Sequence, residues 1–153
     1  MQALELKVPP PVVTLLIAGA MWGISPAGSP SEAFNVLQMA VAAAIALLGG
    51  GISFSGILAF RRVRTTVSPL QPERTSALVA TGIYRFTRNP MYVGLLIILF
   101  AWSVFLLSAL SVVGPLMFVL YMGRFQIAPE ERVLSTLFGP DYADYSARVR
   151  RWL

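Results

Sequence analysis

The stretch TGIYRFTRNPMYVG, residues 81–94, gathers Tyr84, Arg85, Arg88, Asn89, Pro90 and Tyr92 immediately before an oil-like run. A guanidinium presents a planar fork of donors that matches a carboxylate or phosphate. Asn suits the cap of a helix and Pro its first position, so Asn89 and Pro90 mark a helix start. A turn, a helix start and two arginines together form an anion-binding corner. Each residue also has a plainer account, in which the arginines flank an apolar run and the tyrosines sit at its interface. At this point both accounts stand.

A second group lies in IAPEERVLSTLFGPDYADYSARVRRW, residues 127–152, where Glu130 and Glu131 follow Pro129. Two adjacent carboxylates beside an apolar run are costly unless they are solvated or paired. Facing the arginine corner, they would meet a cation. The plainer account is an amphipathic tail lying on lipid: a helix opened at Pro129 and closed by Gly139 and Pro140, then a short interfacial helix with Tyr142, Tyr145, Val149 and Trp152 on one stripe.

The residues that are missing narrow the chemistry. The chain has neither Cys nor His. Disulfides, thiolate nucleophiles, imidazole bases and the usual zinc sites are therefore absent, and no metal site is expected. If the protein is an enzyme, a bound group carries the reactive function.

The elements that must position these groups are membrane helices. Of 153 residues, 56% are hydrophobic and 12% charged, with a mean hydropathy of +0.70. A soluble domain has roughly 25% charged residues. The expected fold is an all-α integral membrane protein, one domain over residues 1–153, with about four spans near 8–25, 34–60, 90–108 and 111–128. No cleavable leader is read at the N-terminus, so the first run is taken as a retained span. Span two is long enough to tilt or bend, with a bend expected at Gly49, Gly50 and Gly51. Ala42, Ala46 and Gly50, four apart, form a face for close helix approach, which also suits a non-enzymatic packing subunit.

The 33 uncharged residues from 91 to 123 are too many for one span. Ser108, Ser111, Gly114 and Pro115 near their midpoint imply a tight helical hairpin of spans three and four, followed by short interfacial C-terminal helices. The hairpin puts the arginine corner and the carboxylates on one membrane face. All eleven Arg lie after span two or at and beyond the end of span four. That bias predicts a multi-pass protein with both termini in the cytoplasm. The net charge of +5 is read as this loop bias rather than as a nucleic-acid surface.

The paired motifs, spaced by a hydrophobic hairpin, resemble the integral membrane methyltransferases related to isoprenylcysteine carboxyl methyltransferase and phosphatidylethanolamine N-methyltransferase. The resemblance covers residues 81–152. It implies a cofactor-binding catalytic part at 81–153, S-adenosylmethionine as methyl donor with S-adenosylhomocysteine as product, and a lipophilic acceptor, prenylated or lipid, reached from the bilayer. Carried over by position, Tyr84, Arg88, Asn89, Pro90, Tyr92, Glu130 and Glu131 would line the cofactor site. Glu131 and Arg124 are the expected catalytic pair, with Arg124 orienting the acceptor. The family's pattern often has His where Asn89 stands, which puts proton transfer there in doubt but not cofactor binding. Sterol reductases share a related C-terminal pattern, and a membrane reductase is the alternative activity. The acceptor and the oligomeric state are not specified by the sequence.

Overall fold

The computed structural model describes residues 5–25, 35–62 and 77–153. Its regular structure is entirely helical among the described residues: α1 (Pro10–Ile24), α2 (Val36–Arg62), α3 (Pro90–Leu106), α4 (Val113–Met122) and α5 (Ala128–Arg148). The loop at 26–34 and most of the polar interval, 63–76, lie outside the described residues. Two helical stretches, Val36–Arg61 and Ala109–Arg148, are long and apolar enough to cross a membrane, and Pro10–Ile24 and Pro90–Leu106 are shorter apolar helices. Large apolar side chains face outward, among them Leu15 at 71% and Leu47 at 77% exposure. A surface this greasy is at home in lipid, and the protein is a membrane protein.

Helix α3 starts as its sequence dictates, with Asn89 at the cap position and Pro90 in the first turn. It ends at Leu107, whose φ of 47° is left-handed. A 3₁₀ turn, Ala109–Val112, then leads the chain into α4. The buried Ser111 hydroxyl donates to the Ser108 carbonyl at 2.6 Å, and the Ser103 hydroxyl donates to the Ser111 carbonyl at 3.3 Å. These bonds satisfy backbone oxygens in a turn that has no strong polar side chains to spare.

The main packing seam joins α2 to α3. Its close approach uses Gly49, Ser53 and Gly56 against Gly94 and Met91, where any added Cβ would strike the partner helix. The Ser53 hydroxyl donates to the Met91 carbonyl at 3.0 Å across this seam. The expected face of Ala42, Ala46 and Gly50 is corrected accordingly: Gly50 has open space around it, and the two alanines line an apolar groove shared with α1 and α3. The helix is unbroken through Gly49, Gly50 and Gly51. The core proper lies where α1, α3 and α4 meet, around Val13, Met21, Leu99, Phe118 and Met122, with Trp152 from the C-terminal tail packed against it.

Helix α4 does not stop before α5. A π-helical turn, Gly123–Ile127, joins them, so Pro129, Glu130 and Glu131 stand in the first turn of α5 as expected, but on a path continuous with α4. Proline has no N–H to give to the carbonyl one turn back. The Phe125 carbonyl instead accepts the Leu6 N–H at 3.1 Å, which fastens the N-terminal segment to the turn. A further break comes at Gly139, with φ 46° and ψ −119°, a backbone state that glycine adopts cheaply. The expected closing role of Gly139 and Pro140 thus survives as a kink within α5.

Candidate functional site

The arginine corner is built by a 3₁₀ turn, Gly82–Arg85, entered through Gly82 at φ 63°. Tyr84 is buried there, its ring edge-on to Phe60 at 5.4 Å between centroids. Its carbonyl accepts the Tyr145 hydroxyl at 2.8 Å. Burial pushes both phenols well above their ordinary range, so they act as neutral groups. Arg85 points outward and is exposed.

Arg88 and Glu131, which are 43 positions apart, form an ion pair, with Nη1 of Arg88 at 3.3 Å from Oε1 of Glu131. The same Nη1 donates to the Tyr142 hydroxyl at 3.5 Å. Arg88 Nε is buried and has no hydrogen-bond partner among the described residues. A buried donor on a cation is a hydrogen bond left unmade, and an anion is the partner that would make it strongest. Glu131 is gripped from its other side by Arg151, whose Nε and Nη2 donate to its two oxygens at 3.0 and 2.5 Å.

Glu130, one residue earlier, faces a different shell. Its Oε1 accepts the Tyr92 hydroxyl at 2.5 Å and the Gln126 side-chain amide at 3.1 Å. Glu130 lies beyond Ala128, where the apolar run ends. Its carboxyl is pushed up to about 7, chiefly by desolvation and in small part by the neighbouring Glu131 charge, against the opposing pull of the two hydrogen bonds. Gln126, 1% exposed and set on the π-helical turn, was missed in the sequence. Its four-residue spacing from Glu130 was a legible signal, since an i,i+4 pair shares a helix face.

The structure thus brings together Arg88, Asn89, Pro90, Tyr92, Glu130 and Glu131. Pro90 is buried at the start of α3. Asn89 holds the cap position without capping, and its side-chain amide donates instead to the Arg151 carbonyl at 2.8 Å. Arg124 is engaged elsewhere: its guanidinium pairs with Glu5 at 3.1 Å, and Glu5 also pairs with Arg132. The expected lipid-facing stripe of the tail is corrected as well. Tyr142 and Tyr145 turn inward onto the corner, and the helix ends at Arg148 with Val149 extended.

The phospholipid methyltransferase family matches residues 37–141, more than two-thirds of the chain. The chain is 31% identical over 107 residues to protein-S-isoprenylcysteine O-methyltransferase B of Arabidopsis thaliana, an alignment covering 68% of this chain and 48% of that protein. It is 32% identical over 108 residues to the protein-S-isoprenylcysteine O-methyltransferase of Schizosaccharomyces pombe, covering 68% and 40%. An uncharacterised Haemophilus influenzae protein is 46% identical over its whole length of 63 residues, 41% of this chain. The chain spans about half the length, 40% and 48%, of the two named enzymes it matches. A matching family over most of the chain, together with relatives named for methyl transfer, bears out the resemblance: the chain belongs to the phospholipid methyltransferase family.

Proposed function

We propose that this chain transfers a methyl group from S-adenosylmethionine to a lipophilic acceptor at the membrane interface. The observation that carries the reading is the meeting of Arg88 with Glu131, with Glu130 adjacent. The donor bears two cationic groups and a carboxylate. Two acids and a guanidinium with a spare buried donor match that set of charges. When bound, the cofactor supplies the methyl group and a neutral leaving sulfide.

The protein's share is binding and alignment, for which neither His nor Cys is needed. Glu131 offers its carboxylate to a cationic group, and Glu130, held still by Tyr92 and Gln126, offers a second. Arg88 takes the carboxylate end. Tyr84 and Pro90 complete the wall of the corner. Arg124 meets the acceptor once Glu5 releases it. The acceptor, an isoprenylcysteine-like carboxylate or a lipid, enters sideways from the bilayer across four spans, with the site on the cytoplasmic face.

Titration calorimetry with S-adenosylmethionine and S-adenosylhomocysteine tests this. Wild-type protein binds both, and Glu131→Gln and Arg88→Ala each lose about tenfold or more in affinity, the loss of one charge-assisted bond. Unchanged affinity in both variants overturns the assignment. Membranes incubated with methyl-labelled cofactor then show which fraction, lipid or protein, gains the label.

A further inference from the structure

The tail beyond α5 folds back onto the arginine corner, and three bonds from the corner fasten its backbone. The Arg88 N–H donates to the Arg150 carbonyl at 3.0 Å. The Asn89 side-chain amide and the Thr87 hydroxyl both donate to the Arg151 carbonyl, at 2.8 and 3.4 Å. Thr87 is 2% exposed, so this acceptor satisfies a hydroxyl that water barely reaches. Asn is among the best residues for capping a helix, yet Asn89 gives up that role at the start of α3 to hold the tail.

The fastened residue carries the fork on Glu131. A bidentate guanidinium fixes the plane of a carboxylate, which one ammonium on a flexible stem does not. With Arg88 on one oxygen and Arg151 across both, Glu131 has one orientation in which to receive a ligand. Arg151 is 44% exposed on its side chain, and ion pairs at such exposure add little to stability. The pairing is therefore of more use for orientation than for holding the fold.

We propose that Arg151 belongs to the binding site and that Asn89 is its positioning residue, acting on the cofactor through the tail rather than by touching it. The proposal rests on the reading that Glu131 receives the cofactor's cation. It reassigns Asn89 from ligand wall to tail clamp, and it adds Arg151, which is not among the candidate site residues read from the sequence.

The test is a double-mutant cycle on S-adenosylhomocysteine affinity, measured by calorimetry on the purified full chain. Asn89→Ala and Arg151→Ala are each expected to weaken binding about tenfold, and the double variant no more than Arg151→Ala alone, because both changes undo one coupled unit. Asn89→His, whose imidazole N–H can donate to the same carbonyl, restores affinity to within about threefold, and Arg151→Lys falls between wild type and Arg151→Ala. Losses that multiply to about a hundredfold mean that Asn89 contacts the ligand directly, and they overturn the proposal. Wild-type affinity in Arg151→Ala, an exposed substitution that leaves the fold intact, overturns it too. A wild-type protein that binds no adenosyl cofactor overturns the underlying reading of the site, an outcome distinct from either of these.

Discussion

At the residue scale, the two adjacent acids sit in different surroundings because their partners differ. Glu131 is set between guanidiniums, whereas Glu130 is ringed by neutral donors. Glu130 is raised from 4.5 to about 7, so its charge changes across neutrality. For folding, the sign is a cost: the unfolded chain ionises first, and the native state loses stability as pH climbs from about 4.5 to about 7. For a cationic ligand the sign reverses, since only the ionised form attracts it. Cofactor affinity is expected to rise as pH passes upward through about 7 in wild-type protein and to be weak and flat in Glu130→Gln. Calorimetry about one unit either side of that value checks this. The amide oxygen of Gln can still accept from Tyr92 and Gln126, so thermal unfolding of Glu130→Gln should occur no lower than that of wild type above neutrality.

At the element scale, the α2–α3 seam depends on backbones that nearly touch. Gly94→Ala would drive a methyl group into Gly49 and Ser53. The expected cost is about 1–3 kcal/mol, with the start of α3 displaced and cofactor affinity falling with it. Gly50→Ala meets open space and should leave melting temperature and binding near wild type. Thermal unfolding in detergent distinguishes the two. The helices themselves were legible from composition, because apolar length, Asn-Pro and Gly-Pro are local signals. The choice of Gly49 over Gly50 was not, because it depends on how α3 is rotated against α2. The continuous path from α4 into α5 was hidden for a similar reason: Pro129 reads as a helix start unless Leu6 is known to take the carbonyl that proline leaves free.

At the scale of the whole molecule, the meeting of residues 88 and 131 requires that the chain reverse between them. That reversal is readable in the sequence, from the parity of the apolar run. The fastening of the tail is not, because its acceptors are backbone carbonyls, which every residue carries and no sequence pattern marks. Since the chain has no cysteine, single thiols can be placed without background. In sealed vesicles, a membrane-impermeant maleimide is expected to reach Ala143→Cys and Ala109→Cys from opposite sides; labelling of both from one side would refute the four-span arrangement.

The tail also brings Trp152 onto the core, while the other two tryptophans, Trp22 and Trp102, stack on each other 5.8 Å apart between α1 and α3. Replacing that stacked pair with phenylalanine would leave one indole, and its fluorescence would report whether the tail is docked. A red shift in emission on adding Asn89→Ala to that background would read tail release directly by light, without ligand, label or lipid substrate.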